Sequence, residues 1–131
     1  VAGGLESNKT RPEDGKNYTL LLAEIRNVLN AQELKDNKHY LLTIAAPAGP
    51  GTYRHLEIDR LVDHVDWINL MTYDFHGGWS PLTNFNAPLY ASAKDPSKDE
   101  TIRKRFNVGS AVKAYQKGGV DSAKIVVGVP F

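Results

Sequence analysis

Tyr73 and Asp74 stand side by side where an apolar run ends. The run, Trp67–Thr72 (Trp-Ile-Asn-Leu-Met-Thr), carries no charge, and Gly77-Gly78-Trp79 follows soon after the pair. A near-continuous apolar run this short predicts a strand buried on both faces. In parallel α/β folds, ligands bind at the carboxyl ends of the strands, and Asp74 stands at that end. A phenol and a carboxylate in that place suit chemistry or binding. A loop-start carboxylate that caps local backbone is an equally open reading of Asp74. Asp66 begins the same strand, roughly 25 Å away at ~3.3 Å per residue, at the end such folds use for stability. Side chains on a strand alternate, so Trp67, Asn69, Met71 and Tyr73 share one face. Ile68, Leu70 and Thr72 share the other, which matches packing under helices. The first face suits a barrel interior that opens onto a pocket.

Other candidates carry weaker signals. Trp79 follows two glycines, and an exposed indole there can stack on a sugar ring or fold back onto its own loop. Trp67 sits mid-strand and is expected in the core. His39, His55, His64 and His76 lack the His-x-x-x-His spacing of a metal site. Only His76 lies near the proposed cleft, as a solvated loop residue. The chain has no phosphate-binding Gly-x-Gly-x-x-Gly and no Gly-x-Ser-x-Gly elbow. Asn8-Lys9-Thr10 and Asn17-Tyr18-Thr19 match the glycosylation sequon, a pattern short enough to arise by chance. Arg103-Lys104-Arg105 reads as a solvated turn.

The elements that would position these residues follow from pattern and composition. The chain has 131 residues, 41% of them hydrophobic, which is the length of one domain with a packed core. Sixteen basic and fifteen acidic residues give a net charge of +1, so nothing supports binding to nucleic acid or an anionic membrane. No apolar run is long enough to span a bilayer. The absence of cysteine excludes disulfides and thiolate metal sites. Val1–Arg11 is polar and Gly-rich and reads as loop. Thr10 and Glu13 have the spacing of a capping box, with Pro12 in the first turn. They predict a helix with Tyr18, Leu21, Leu22, Ile25, Val28 and Leu29 on one stripe, Gly15 as its weak spot, and a polar turn at Asp36–Lys38. Tyr40–Ala46 predicts a strand stopped by Pro47–Gly51. Ile58, Leu61, Val62 and Val65 mark a helix from about Tyr53 to His64. Trp67–Tyr73 is the second strand, and Phe75–Arg105 a long irregular stretch. Asn107 predicts the cap of a third helix, with Val108, Ala111, Val112 and Tyr115 inward and Gly118-Gly119 at its end. Ile125–Val129 is a third strand. Helices alternating with strands imply a parallel sheet.

Five segments, in order, resemble one family. Val1–Tyr18 is similar to the stretch after the catalytic strand of bacterial-type family-18 glycoside hydrolases, the chitinases: Val-Ala-Gly-Gly-Leu, then Arg-Pro-Glu-Asp, then the start of Asn-Tyr-Thr-Leu-Leu-Leu. Tyr40–Ala45 resembles the family's fifth barrel strand. Val65–Asp74 resembles the sixth, with Met71-Thr72-Tyr73-Asp74 matching its Met-x-Tyr-Asp motif. Asn86-Ala87-Pro88-Leu89 resembles a loop segment common in chitinases. Lys124–Phe131 resembles the seventh strand, which normally continues into Tyr-Gly-Arg.

The resemblance implies an α/β fold, a partial (β/α)8 TIM barrel from about the fourth helix through the seventh strand. A whole barrel takes ~250 residues, so three strands leave both sheet edges bare. It also implies hydrolysis of β-1,4 bonds between N-acetylglucosamine units of chitin, with retention. The family's mechanism is substrate-assisted, an exception to the two-carboxylate scheme. A Glu protonates the leaving oxygen, and the sugar's 2-acetamido oxygen attacks its own anomeric carbon. Well-oriented intramolecular attack contributes ~7–11 kcal/mol. By resemblance Tyr73 donates to the acetamido oxygen, and Asp74 accepts from its N–H and stabilises the developing positive charge. Loss of one such group should cost ~3–4 kcal/mol of barrier, by analogy with an oxyanion-hole donor. Met71 and Ala45 would line the floor under the same sugar, and Trp79 would contact sugar.

The family's Asp-x-x-Asp-x-Asp-x-Glu motif, which ends on the proton donor, would lie just before Val1. None of Glu6, Glu13, Glu24, Glu33, Glu57 or Glu100 ends a predicted strand. The chain is therefore expected to be an internal segment, inactive alone. The parent is expected to be a secreted, monomeric chitinase that binds chitin or chito-oligosaccharides and needs no metal or organic cofactor. Three other readings stay open: a lectin-like barrel that has lost its Glu, an endo-β-N-acetylglucosaminidase, and a small independent α/β domain.

Overall fold

The computed structural model describes residue 1 and residues 7–131. Residues 2–6, with most of the Val-Ala-Gly-Gly-Leu segment and Glu6, lie outside the described residues. The elements are α1 (Asp14–Asp36), β1 (Thr43–Pro47), α2 (Pro50–Tyr53), α3 (Ile58–Leu61), β2 (Trp67–Met71), α4 (Glu100–Arg105), α5 (Val108–Lys117) and β3 (Ile125–Val127). Among the described residues, three strands form one parallel sheet in the order β1-β2-β3, with Ala45 opposite Asn69 and Asn69 opposite Val126. The alternation of helices and strands expected from the hydrophobic pattern is present.

Several boundaries differ from the sequence expectation, each for a local reason. The Thr10–Glu13 capping box does not form, because Glu13 already has helical dihedrals and no side chain caps the first turn. Asp14 closes that turn instead, accepting the Arg11 amide at 3.0 Å and the Arg11 Nε–H at 3.2 Å. The helix ends as expected at Asn37, which takes a left-handed conformation with φ 49°. The single helix expected over about Tyr53 to His64 is two one-turn pieces, α2 and α3. β1 stops at Pro47, within the expected Pro47–Gly51 segment, and Pro50 starts α2. Proline fits a first helical turn because its missing N–H is not needed there.

The core lies on one face of the sheet. Ile44, Ala46, Ile68 and Leu70 are buried with Leu22, Leu61, Val62, Val65, Tyr115 and Val120. The expected division of β2 holds: Ile68, Leu70 and Thr72 are fully buried, whereas Trp67, Asn69 and Tyr73 are half-buried and Met71 is exposed. Trp67 is thus not in the core; it lies on the open face, where its Nε1–H donates to Asn69 Oδ1 at 3.2 Å. The stripe expected on α1 is only partly covered. Leu22 is buried, but Leu21 and Val28 are 55% and 59% exposed, because α1 packs chiefly against α3. The Tyr115 hydroxyl donates to the Pro47 carbonyl at 2.8 Å and ties α5 to the carboxyl end of β1. Burial pushes the Tyr115 phenol well above its ordinary pKa, so it stays a donor.

Candidate functional site at the carboxyl edge of the sheet

All three strands end at one edge, and the segments beyond them build the site. Thr72 follows β2 with its side chain buried; its Oγ1–H donates to the Gly128 carbonyl at 2.7 Å. The Gly128 amide donates to the Leu70 carbonyl at 2.9 Å. These two bonds hold the segment after β3 against the end of β2. Tyr73 lies over that junction. A Cβ on residue 128 would sit 2.7 Å from Tyr73 Cε1 and 2.6 Å from the Leu70 carbonyl oxygen. Glycine is required there by close approach.

Asp74 is exposed and has a left-handed backbone, φ 56°. That conformation costs an L-residue about 1–2 kcal/mol, and Asp tolerates it better than most. It turns the chain sharply off the strand. The Asp74 amide donates to Asn86 Oδ1 at 3.2 Å, and Asn86 Nδ2–H donates to Asp74 Oδ1 at 2.8 Å. Asn86 was not singled out as a site residue from sequence. A pairing across a loop has no periodicity, and only its membership of the Asn-Ala-Pro-Leu segment could have flagged it.

Asp66 stands at the opposite edge and is fully engaged there. It accepts the Leu42 amide at 2.6 Å and faces His39 Nε2 at 2.9 Å. His39 Nδ1 faces Glu33 Oε1 at 2.9 Å, and Arg26 lies 3.6 Å from Glu33 and 3.8 Å from Asp66. Burial pushes Asp66 up, but the Leu42 amide, His39 and Arg26 outweigh it and hold the carboxyl below its ordinary value. The bond to Asp66, then that to Glu33, raises His39.

The remaining candidates separate. Met71 and Ala45 line one cavity of about 280 Å³, with Tyr18, Pro47 and Leu56. Trp79 lines a different one of about 190 Å³, with Phe75, His76 and Phe106. Tyr73 and Asp74 line neither. Trp79 is 69% exposed, and the edge of its indole lies over Gly77, where a Cβ would sit 2.4 Å from the ring. Part of the indole therefore rests on its own loop while most of it faces solvent. A larger cavity, about 800 Å³, lies within the loop over residues 83–96 and holds none of the five candidate residues. It is a hollow between loop and α4 rather than a feature of the strand ends.

Two loop expectations are corrected. His76 is not solvated: it is 7% exposed, Nδ1 lies 3.0 Å from the Phe85 carbonyl, and Phe106 packs against the ring. The long stretch 75–105 folds back on the helices, and that return buries it. Arg103-Lys104-Arg105 is the last turn of α4 rather than a turn in solvent, where positive charge suits the helix dipole. Asp99 caps that helix and Asn107 caps α5, the latter as expected. No group of side chains that could hold a metal ion occurs among the described residues. Nor is any described helix long and apolar enough to cross a membrane.

Known proteins match this chain closely. The family model described as glycosyl hydrolases family 18 matches residues 4–131. Chitinase A1 of Niallia circulans is 44% identical over 131 residues, which is 100% of this chain and 19% of that protein. Chitinase ChiA74 from Bacillus thuringiensis superposes with a TM-score of 0.90 at 43% identity, over 99% of this chain and 20% of that one. A mutant of Ostrinia furnacalis Group II chitinase catalytic domain 2, in complex with penta-N-acetylchitooctaose, gives a TM-score of 0.79 at 34% identity, over 94% of this chain and 29% of that one. This chain thus spans about a fifth of the length of the first two. Match, identity and superposition agree: the chain belongs to family 18 of the glycosyl hydrolases.

Proposed function

We propose that this chain is part of a chitinase barrel, from about its fourth helix through its seventh strand, and that Tyr73 and Asp74 hold the 2-acetamido group of an N-acetylglucosamine unit while its oxygen attacks the anomeric carbon. One observation carries the reading: an exposed carboxylate, turned off the carboxyl end of the central strand by a left-handed backbone, directly after a phenol held over Gly128. The Tyr73 hydroxyl donates to the acetamido oxygen. Asp74 accepts from the N–H and stabilises the cation that forms. Met71 and Ala45 shape the floor beneath the sugar, and Trp79 presents its free face to a neighbouring unit. No metal or organic cofactor takes part. The proton donor comes from outside the chain. Among the described residues no Glu lies in the segments directly after β1, β2 or β3, and the 131 residues alone are inactive. The whole protein acts on chitin or chito-oligosaccharides outside the cell, where the insoluble polymer is.

Replacing Asp74 in the full-length protein tests the reading. Asp74→Asn keeps shape and removes charge. Turnover of a chito-oligosaccharide should fall about 10²–10³-fold with little change in KM, because the charge it opposes develops only on the way to the transition state. Near-normal kcat would remove Asp74 from the mechanism.

A further inference from the structure

Asn86 spends its side-chain amide and its main-chain carbonyl on the turn that carries Asp74. Its Nδ2 donates one proton to Asp74 Oδ1 at 2.8 Å and the other to the His76 carbonyl at 3.1 Å. Its Oδ1 accepts the Asp74 amide at 3.2 Å, and its main-chain carbonyl accepts the Phe75 amide at 2.9 Å. The amide can face only one way. Flipped, Nδ2 would meet the Asp74 N–H and Oδ1 would meet the carboxylate, donor on donor and acceptor on acceptor.

Asn86 is itself anchored. The Pro88 and Leu89 carbonyls accept the Val108 and Gly109 amides at 2.9 and 3.0 Å, at the start of α5. Tyr115 fixes α5 to Pro47. A continuous set of bonds therefore runs from the end of β1 through α5 and the loop to one oxygen of an exposed carboxylate. Nothing in the packing of the core requires a bond to that oxygen.

We propose that Asn86 is a positioning residue for Asp74: it occupies Oδ1, fixes the carboxylate plane, and leaves Oδ2 for the substrate's amide N–H. The inference rests on the reading of Asp74 as the acetamido carboxylate. An exposed Asp without this partner rotates freely, and a misplacement of ~1 Å at such a group can cost ~10²-fold in rate. Residue 86 must donate to a carboxylate and accept from an N–H at once, which a neutral amide does and an ionised carboxylate cannot.

The test uses the full-length protein and three variants. Asn86→Ala should lower kcat about 10–10²-fold and change KM by less than about threefold, because orientation matters most in the transition state. Asn86→Asp keeps the shape and the acceptor but sets two carboxylates together, which raises the proton affinity of the pair. Its activity should be poor at neutral pH and should recover on acidification, as a shared proton restores the donated bond. Asn86→Ala combined with Asp74→Asn should lose no more than Asp74→Asn alone. An Asn86→Asp variant with the parent's kcat and pH optimum would overturn the inference, as would losses that simply multiply in the double variant. Asn86→Asp is the decisive arm if Asn86→Ala does not fold. If Asp74→Asn itself keeps full turnover, the reading of Asp74 fails and Asn86 has nothing to position. If Asp74→Asn is crippled and the Asn86 variants are not, only this inference fails.

Discussion

Tyr73 keeps its place because residue 128 has no side chain. A Cβ there would press on the Leu70 carbonyl and the Tyr73 ring together, and backbone cannot yield as a flexible side chain can. Gly128→Ala in the full-length protein should therefore destabilise it by about 1–3 kcal/mol, read as a lower denaturant midpoint, and should also reduce turnover by displacing the phenol. An unchanged midpoint with full activity would show that the approach is not tight. The position of Tyr73 and Asp74 just beyond a strand was legible in the sequence, because two polar groups end an apolar run. Their supports were not. Asn86 reaches Asp74 across twelve residues of irregular chain, where no period links the two. The burial of His76 was equally hidden, because it depends on where Phe106, thirty residues later, comes to rest.

At the level of elements, the opposite edge of the sheet is held by charge. Glu33 from α1, His39 from the following loop and Asp66 before β2 form a line, with Arg26 beside both carboxylates. The Tyr40 amide, then His39 and Arg26, outweighs desolvation and holds Glu33 below its usual 4.5. Asp66 lies below its usual 3.8 and His39 above its usual 6.5. The sign follows from linkage. The His39 contribution is complete below pH 6.5 and is lost as pH rises through its raised value. The carboxylate contributions are complete above their usual values and are lost as pH falls through the lowered ones. Thermal unfolding of parent and His39→Ala should therefore differ most between pH 4.5 and 6.5 and converge on either side. A difference that grows steadily toward alkaline pH would contradict this assignment. The presence of α1 and the cap of α5 could be read from periodicity and from Asn107, though only part of the α1 stripe is buried. The split of α2 from α3 could not, because each is a single turn set by tertiary contacts rather than by propensity.

Across the whole molecule, the sheet is covered on one face and open on the other. Ile44, Ala46, Ile68 and Leu70 are buried under helices, while Ala45, Met71 and Val126 are exposed. The alternation along β2 announced this asymmetry. On the proposed reading, the open face is the interior of a barrel whose other strands belong to the full-length protein, and the site sits on its rim. That account is tested most directly by a crystal structure of the full-length protein with a bound chito-oligosaccharide. It predicts an acetamido nitrogen about 2.7–3.2 Å from an Asp74 carboxylate oxygen, with the acetamido oxygen within the same reach of the Tyr73 hydroxyl. A sugar whose acetamido group lies elsewhere, with Tyr73 and Asp74 touching neither of its polar atoms, would contradict it.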